Sequence, residues 1–477
     1  YFSDLGINAL ELMPINEFEG DYSWGYNTSY GLAPESTYGT PEDLKDLINI
    51  AHEYDIAILF DVVYNHLWGS SPLFQLYQPA DNYEWDEHNF DTCPYFGDSI
   101  SQWGYKLEHW HDLDGREYRG WEYVTNSMEH WVTDYHVDGF RFDYVEGIGW
   151  DGDFNGASFY ADFLDDIDPS LILIAETDNP TQINNTDFDS GWDYSYHHNL
   201  FDNILDIYLD VYDVTNHISA YDQGYGFVTG PVNYIESHDE TRLIYQSTEF
   251  QGHSEEEAYQ RSMLGATILF TSHGVPMIYS GQELAQNAPT RDSGGFPIPQ
   301  PLQWSNLEDE LVQDLNNHYK KLISLRNNSD VLKEPPLEIK YQNNGNRCII
   351  YWRVDDDEKI VVALNLDSES HNLDIEFPVP GTWDEYLSDS EITIESNYYG
   401  GYTLSPYTSY VFIFDDSSSE CTQGDINEDN LINVIDIVSV VNIALEGGEP
   451  TCNSDINQDG IVNVIDIVAL VNIVLSS

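Results

Sequence analysis

Six short apolar runs, separated by helical patterns, constrain the fold of this chain more than any other feature. They lie at 7–13, 56–63, 138–145, 171–177, 232–237 and 275–281. Nearly continuous hydrophobic runs are typical of parallel strands that are covered on both faces. Between the first two runs, Thr40 as N-cap and Pro41 at the first helical position predict a helix. Strand–helix alternation over this length favours an α/β barrel over a doubly wound sheet, although alternation alone does not decide between them.

Charged and polar side chains close four of these runs. They are Asp61, Asn65 and His66 after the second run, Arg141 and Asp143 in the third, Glu176 after the fourth, and His238 and Asp239 after the fifth. In an α/β barrel the active site lies at the C-terminal ends of the strands, where such residues meet. Cleavage of a glycosidic bond requires paired carboxyl groups, one ionised and one protonated. The pattern therefore indicates a carbohydrate-cleaving site.

Arg141 and Asp143 alternate with Phe140 and Phe142, so the two charged residues share one face of a strand. An ion pair that only ties strands together is the alternative interpretation. If the site is catalytic, we expect Arg141 to lower the pKa of Asp143 and keep it ionised. Desolvation behind the run "LILIA", together with neighbouring carboxylates, is expected to raise the pKa of Glu176.

The four segments, in this order, resemble the α-amylase family of glycoside hydrolases, family 13. The resemblance covers roughly residues 1–330 and extends to "ELMPINEF", "WGYNTSYGLAPESTYGTPEDLKDLINIAHEY" and "GVPMIYSGQE". It implies a (β/α)8 TIM barrel and a retaining double displacement. By this resemblance Asp143 is the nucleophile, Glu176 the acid/base and Asp239 the transition-state stabiliser. It also implies that the sugar is bound by Tyr26, His66, Arg141 and His238, while Asp61 and Asn65 are structural.

The sequence departs from the family pattern at two places. The chain begins near the second barrel strand, so the first strand is expected to be absent from this sequence. "YVEG" stands where many amylases carry a Lys-His pair linked to calcium, so no calcium ion is predicted in the barrel. The long segment 67–122 is expected to form a lobe over the cleft.

The residue pattern of the sequence changes near residue 334. We predict a catalytic barrel at 1–333, an antiparallel β-sandwich at 334–416 and a polar linker at 415–420. The remaining segment, 421–477, contains an internal repeat, "GDINEDNLINVIDIVSVVNIAL" followed by "SDINQDGIVNVIDIVALVNIVL". Cys421 and Cys452 stand at nearly matching offsets in the two repeats and could form a disulfide or remain free thiols.

Each repeat places oxygen-bearing side chains at positions one, three, five and twelve of a loop, a spacing that suits calcium. These residues are Asp425, Asn427, Asp429 and Asp436 in the first repeat, and Asp455, Asn457, Asp459 and Asp466 in the second. The tail resembles dockerin domains, which implies two Ca²⁺ sites, calcium-dependent folding and a cohesin-like receptor. Val434–Ile435 and Val464–Ile465 fall where dockerins often carry polar recognition residues, so the receptor is expected to be unconventional.

Bulk properties limit the partners. The net charge of −69 argues against nucleic acid and anionic membranes, and no apolar run reaches membrane-spanning length. The expected substrate is an α-glucan, and the tail suggests an extracellular or cell-surface protein. An endo-acting α-amylase that cleaves α-1,4 bonds is the favoured reading; a branching enzyme or debranching relative is the alternative. A non-catalytic glucan-binding scaffold is the interpretation from another class.

Overall fold

The computed structural model describes most of the chain. The described residues are 1–77, 94–101, 103–109, 112–113, 116–150, 155–293, 295, 297–334, 336–414, 424, 426, 432–446, 453–457 and 461–476. Two compact units are formed. The first comprises Tyr1–Pro380, Glu385–Ser390 and Ile394–Ile413, and the second comprises Gly381–Asp384, Glu391–Thr393 and Phe414–Ser477.

A seven-stranded parallel sheet organises the N-terminal part of the first unit. Its strands are β1 (Ala9–Leu12), β2 (Ala57–Val62), β3 (Gly139–Phe142), β4 (Ile172–Ala175), β5 (Ser190–Trp192), β6 (Pro231–Tyr234) and β7 (Val275–Met277). They neighbour each other in chain order, as successive βα units of a barrel do. The predicted α/β barrel architecture is confirmed as a curled seven-stranded sheet. Each of the six predicted runs overlaps a strand of this sheet, and β5 is the strand of the sheet that was not predicted.

Helices follow or connect most of these strands. In the N-terminal part they span Phe2–Leu5, Pro41–Glu53, Pro72–Tyr77, Gly120–Tyr135, Val145–Ile148, Gly156–Ile167, Pro180–Ile183, Tyr194–Ile204, Val211–His217, Ala220–Gln223, Leu243–Tyr245, Glu255–Thr271 and Glu310–Asn328. The predicted helix start at Thr40 is confirmed. The Thr40 hydroxyl accepts the backbone N–H of Asp43, and the Asp43 carboxylate accepts that of Thr40, which satisfies two otherwise unpaired donors.

The core of the sheet lies on the face opposite the charged residues. Phe140 and Phe142 of β3 are fully buried, and Phe60 of β2 packs edge-on against Trp131 of the helix Gly120–Tyr135 with ring centroids 5.4 Å apart. Burial of a large aromatic side chain contributes on the order of 2–3 kcal/mol. Alternation along β3 therefore fixes Arg141 on the other face, since a one-residue slip would bury the charge among these rings.

The segment after β2 carries its own small sheet. Strands His66–Leu67, Gly104–Leu107 and Phe96–Ser101 pair in antiparallel fashion. This pairing attaches the segment to the end of β2, next to His66. Placement of the segment over the cleft remains a prediction.

The predicted antiparallel β region is confirmed. It contains β8 (Glu338–Asn343), β9 (Cys348–Val354), β10 (Lys359–Asn365), β11 (His371–Glu376), β12 (Gly381–Glu385), β13 (Ser390–Ile394), β14 (Tyr398–Leu404) and β15 (Thr408–Phe414). Arg353 of β9 is fully buried and donates to the backbone carbonyls of Thr271, Val331 and Leu332. Charge-assisted hydrogen bonds of this kind join the β region to the end of a barrel helix.

The two tail repeats each end in a helix, Val434–Glu446 and Val464–Ser476. Val440, Val462 and Leu470 are buried between them. The linker 415–420 and both Cys421 and Cys452 lie outside the described residues. Within the described part of the chain, no helix combines the length and the hydrophobicity that a bilayer crossing requires.

Candidate active site

Arg141 stands at the centre of the polar cluster at the carboxyl ends of the strands. Its side chain is fully buried, and its Nη1 atom donates to both carboxylate oxygens of Asp61 at 2.8 and 2.9 Å. Asp61 is the direct neighbour of Arg141 in the register of β2 with β3. The guanidinium also lies 4.4 Å from the centre of the Trp192 ring, where a cation–π contact is favourable. The buried charge is therefore paired and stacked, as its desolvation demands.

Asp143 and Glu176 meet at the same guanidinium. Nη1 of Arg141 lies 3.3 Å from Oδ1 of Asp143, and Nη2 lies 3.2 Å from Oε1 of Glu176. The other oxygen of Glu176 accepts the backbone N–H of Tyr144 at 2.5 Å. Both carboxylates keep a little solvent contact, with side-chain exposures of 15% and 18%. The site thus brings together two carboxyl groups that are both partly accessible to solvent.

The electrostatics of this pair differ from the expectation drawn from the sequence. Burial, followed by the charge of Glu176, raises the pKa of Asp143 well above its ordinary value, and Arg141 only partly offsets this rise. The prediction that Arg141 keeps the pKa of Asp143 low is therefore wrong in its net direction. The physical reason is that burial and the neighbouring charge of Glu176 outweigh the attraction of Arg141, which also pairs with Asp61 and Glu176.

Asp239 has the opposite character. Burial alone would raise its pKa, but the hydrogen bond and charge of His238, with the charges of Arg291 and Arg141, lower it to about 2. His238 Nε2 lies 3.1 Å from Asp239 Oδ2, and Arg291 forms an ion pair with the other oxygen. Asp239 is therefore ionised across the whole physiological range.

Tyr26 joins the two halves of the cluster. Its hydroxyl donates to Oδ2 of Asp61 at 2.6 Å and lies 2.8 Å from Nε2 of His238. Its ring stacks on the imidazole of His238 with 5.4 Å between centroids and an interplanar angle of 20°. An aromatic face here could also stack on a sugar ring, which remains the predicted role of Tyr26.

His66 contacts the backbone of Tyr26, and Asn65 contacts His66. His66 Nε2 donates to the backbone carbonyl of Tyr26 at 2.8 Å, and Asn65 Nδ2 donates to His66 Nδ1 at 3.3 Å. Burial lowers the pKa of His66, although the bond to the Tyr26 carbonyl opposes this, so the imidazole is neutral at pH 7. Gly147, in the segment "YVEG", packs so closely that a Cβ atom there would lie 2.0 Å from Asn65 Oδ1. This close packing fixes the position of Asn65.

Three further residues belong to the site but were not predicted. Trp192 is the last residue of the short strand β5, Arg291 pairs with Asp239 and stacks on Trp24 at 4.6 Å, and Glu11 projects from β1. Burial, with the charge of Asp61 and then Glu176 adding to it and Arg141 opposing it, raises the pKa of Glu11 to about 8. Of these three residues, only Glu11 could have been recognised from the sequence, because it is a carboxylate inside the apolar run "ALELM".

The two loops that are predicted to bind calcium are described in part. Asp436 and Asp466 are fully buried, and each carboxylate accepts two backbone N–H groups of its own loop. Asp455 is also buried, whereas Asn457 is exposed. Buried carboxylates that face inward from matching positions of both loops fit a hard divalent cation. Asp425, Asn427, Asp429 and Asp459 lie outside the described residues.

Comparison with known families agrees with this arrangement. Residues 1–220 match the family described as "Alpha amylase, catalytic domain", and residues 339–415 match "Alpha amylase, C-terminal all-beta domain". Residues 1–220 therefore form an α-amylase-family catalytic domain. Residues 423–475 match "Dockerin type I domain", so the chain also carries a dockerin.

Individual relatives are distant. The chain is 26% identical over 412 residues to a malto-oligosyltrehalose trehalohydrolase of Saccharolobus solfataricus, covering 74% of this chain and 69% of the relative. It is 23% identical to a 1,4-alpha-glucan branching enzyme of Picrophilus torridus, covering 77% of this chain and 56% of the relative. Coverage of the first relatives ranges from 30% to 69% of their length.

Solved structures show the same fold. An α-amylase of Geobacillus thermoleovorans, complexed with acarbose, superposes with a TM-score of 0.70 at 20% identity, covering 87% of this chain and 90% of the other. The α-amylase-family architecture is therefore shared, while the catalytic specificity of this chain is a separate question.

Proposed function

We propose that this chain is a retaining α-glucan hydrolase that cleaves internal α-1,4 bonds. The observation that carries the proposal is the convergence of Asp143 and Glu176 on Arg141, at 3.3 and 3.2 Å from its two Nη atoms. A covalent retaining route needs two carboxyl groups close together on one side of the sugar. A structural ion pair between strands would need neither a second carboxylate nor an open side.

In the proposed reaction Asp143 attacks the anomeric carbon while Glu176 protonates the glycosidic oxygen, which leaves as the free hydroxyl of the departing chain. Water, deprotonated by Glu176, then hydrolyses the resulting ester and regenerates Asp143. Attack requires Asp143 to be ionised, so its raised pKa means that only the deprotonated fraction of Asp143 can act as the nucleophile. Asp239, with its pKa of about 2, supplies a permanent negative charge beside the developing oxocarbenium ion.

A branching transglycosylase is the second candidate. It uses the same glycosyl-enzyme but transfers the sugar to a 6-hydroxyl group instead of water. The 23% identity to a branching enzyme, together with "ELMPINEF" and "WGYN", favours this alternative. Hydrolysis is preferred because a dockerin suits an exported polysaccharide-degrading protein better than a glycogen-building one.

The dockerin is proposed to bind calcium in both loops and to dock a cohesin-like receptor, and such docking supports a location outside the cell. Four apolar side chains are exposed at matching positions of the two repeats: Val434 at 65%, Ile435 at 56%, Val464 at 67% and Ile465 at 56%. A receptor with an apolar binding face is expected, since such side chains lose water on docking.

The deciding experiment incubates the calcium-loaded protein with amylose, glycogen and pullulan. Hydrolysis releases reducing ends, with the α-anomer formed first by proton NMR, whereas branching shifts the iodine colour without new reducing ends. Asp143→Asn should lower kcat by more than a thousandfold without unfolding the protein, and Asp134→Asn, an exposed aspartate, should not. Wild-type turnover in Asp143→Asn would refute the assignment of the nucleophile, whereas no turnover by the wild-type protein on any of the three glucans would support the non-catalytic scaffold.

A further inference from the structure

Three side chains next to Asp239 have no role in the proposed catalysis. His197 and His198 lie on the helix Tyr194–Ile204, and Glu240 directly follows Asp239 in the loop after β6. One nitrogen of each histidine and one carboxylate oxygen of Glu240 all lie within 4.8 Å of one another. Within the described part of the chain, these three residues are the group of histidine and acidic side chains whose ligand atoms lie close enough together to hold one metal ion.

His197 is held as a metal-binding imidazole is usually held. Its Nδ1–H donates to the backbone carbonyl of Ile235 at 2.8 Å, which leaves the lone pair of Nε2 directed toward Glu240, with Oε2 at 3.4 Å. The ring is 3% exposed and stacks on Tyr234 at 15°. A backbone carbonyl that fixes one ring nitrogen and orients the other is the typical support of a metal-ligating histidine.

The other two side chains are reachable from solvent. His198 is exposed and its ring lies 5.0 Å from that of His197, while the Glu240 side chain is 28% exposed. A cation could therefore enter without any rearrangement of the core, and a fourth position would remain open to water. The buried histidine supplies rigidity and the exposed residues supply access.

We propose that His197, His198 and Glu240 bind one zinc-class transition-metal ion at the rim of the cleft. Two imidazoles and one carboxylate match the ligand preference of Zn²⁺, Co²⁺ and Ni²⁺, whereas Ca²⁺ prefers a set made of oxygen atoms. The site is separate from the calcium loops of the dockerin. It goes beyond the proposed hydrolysis, which needs no metal for its chemistry.

The test uses the full-length protein without a histidine tag, at pH 7.5 in excess CaCl₂ so that the dockerin loops are filled. Titration with Co²⁺ is followed by visible d–d absorbance, and binding of Zn²⁺ by equilibrium dialysis. We expect one transition-metal ion per chain bound through these residues. His198→Ala and Glu240→Gln should each weaken binding at least about tenfold, as loss of a ligand costs no less than loss of its outer partner.

The matched control is His130→Ala, which removes a partly exposed histidine from a surface pair with Asp134, far along the chain from the cluster. Because His198 is exposed, its replacement should leave the circular dichroism unchanged. The same Co²⁺ titration for wild type and His198→Ala, or an equal loss in His130→Ala, would overturn the proposal. In that case His197 and Glu240 form only an ion pair that positions the loop of Asp239.

Discussion

Replacement of Glu11 by glutamine should change how the stability of the catalytic part depends on pH. Glu11 has a pKa of about 8 in the folded protein, against 4.5 as its ordinary value. Between these values the native state binds a proton that the unfolded state has lost, so stability falls as pH rises through this window. A shift of this size corresponds to about 5 kcal/mol. Because the Glu11 side chain keeps partial solvent contact, we expect the change in the free energy of unfolding to be roughly half of that value.

The measurement compares urea unfolding of wild type and Glu11→Gln, followed by tryptophan fluorescence in constant calcium, at pH 5 and pH 8.5. The variant lacks the ionisable group, so its stability relative to wild type should rise by about 2–3 kcal/mol between the two pH values. The background from other carboxylates cancels in the difference. Glu19→Gln, at an exposed position, should show no such change. Parallel pH profiles for wild type and Glu11→Gln would refute the reasoning.

Three further outcomes are expected. Because the pKa of Asp143 is raised, kcat/KM should fall on acidification with a midpoint above the ordinary aspartate value of about 3.9, and a midpoint at or below that value would contradict the raised pKa of Asp143. Gly147→Ala should displace Asn65 and lower the unfolding free energy by about 1–3 kcal/mol in urea denaturation, whereas Gly400→Ala, whose nearest atom would lie at 3.6 Å, should cost far less. Asp466→Asn should reduce the number of Ca²⁺ ions bound in calorimetry by one and lower the helical circular dichroism of the tail; unchanged stoichiometry would remove Asp466 from the ligand set.

The strands and the residues that close them were predictable because they depend on local patterns. Long apolar runs stand out against their surroundings, and a barrel places their ends together whatever the intervening loops do. Ser190–Trp192 escaped prediction because a strand of three residues, "SGW", has no periodicity of its own. Its pairing with β4 and β6, not its propensity, makes it a strand.

The sequence predicted that the residues closing the strands lie together, but it predicted neither the charge balance of the site nor the membership of Trp192, Arg291 and Glu11. Sequence order placed Arg141 beside Asp143, whereas the competing contacts to Asp61 and Glu176 arise only from the register of neighbouring strands. Arg291 comes from a loop far along the chain, and no local pattern marks it as a partner of Asp239. Long-range electrostatic contacts of this kind carry no signature in a single sequence.

The position of Arg141 has a consequence for how mutational data on this protein should combine. The Arg141 guanidinium forms ion pairs with Asp61, Asp143 and Glu176. Removing any one of these carboxylates therefore changes the interaction of Arg141 with the other two. Free-energy effects of substitutions among these four residues should not sum, and proton uptake should follow the quartet as a whole instead of single residues. The pKa values of the carboxyl groups at the bond-breaking centre are therefore a property of all four residues together. A substitution of Asp61, which lies on a different strand, can change them.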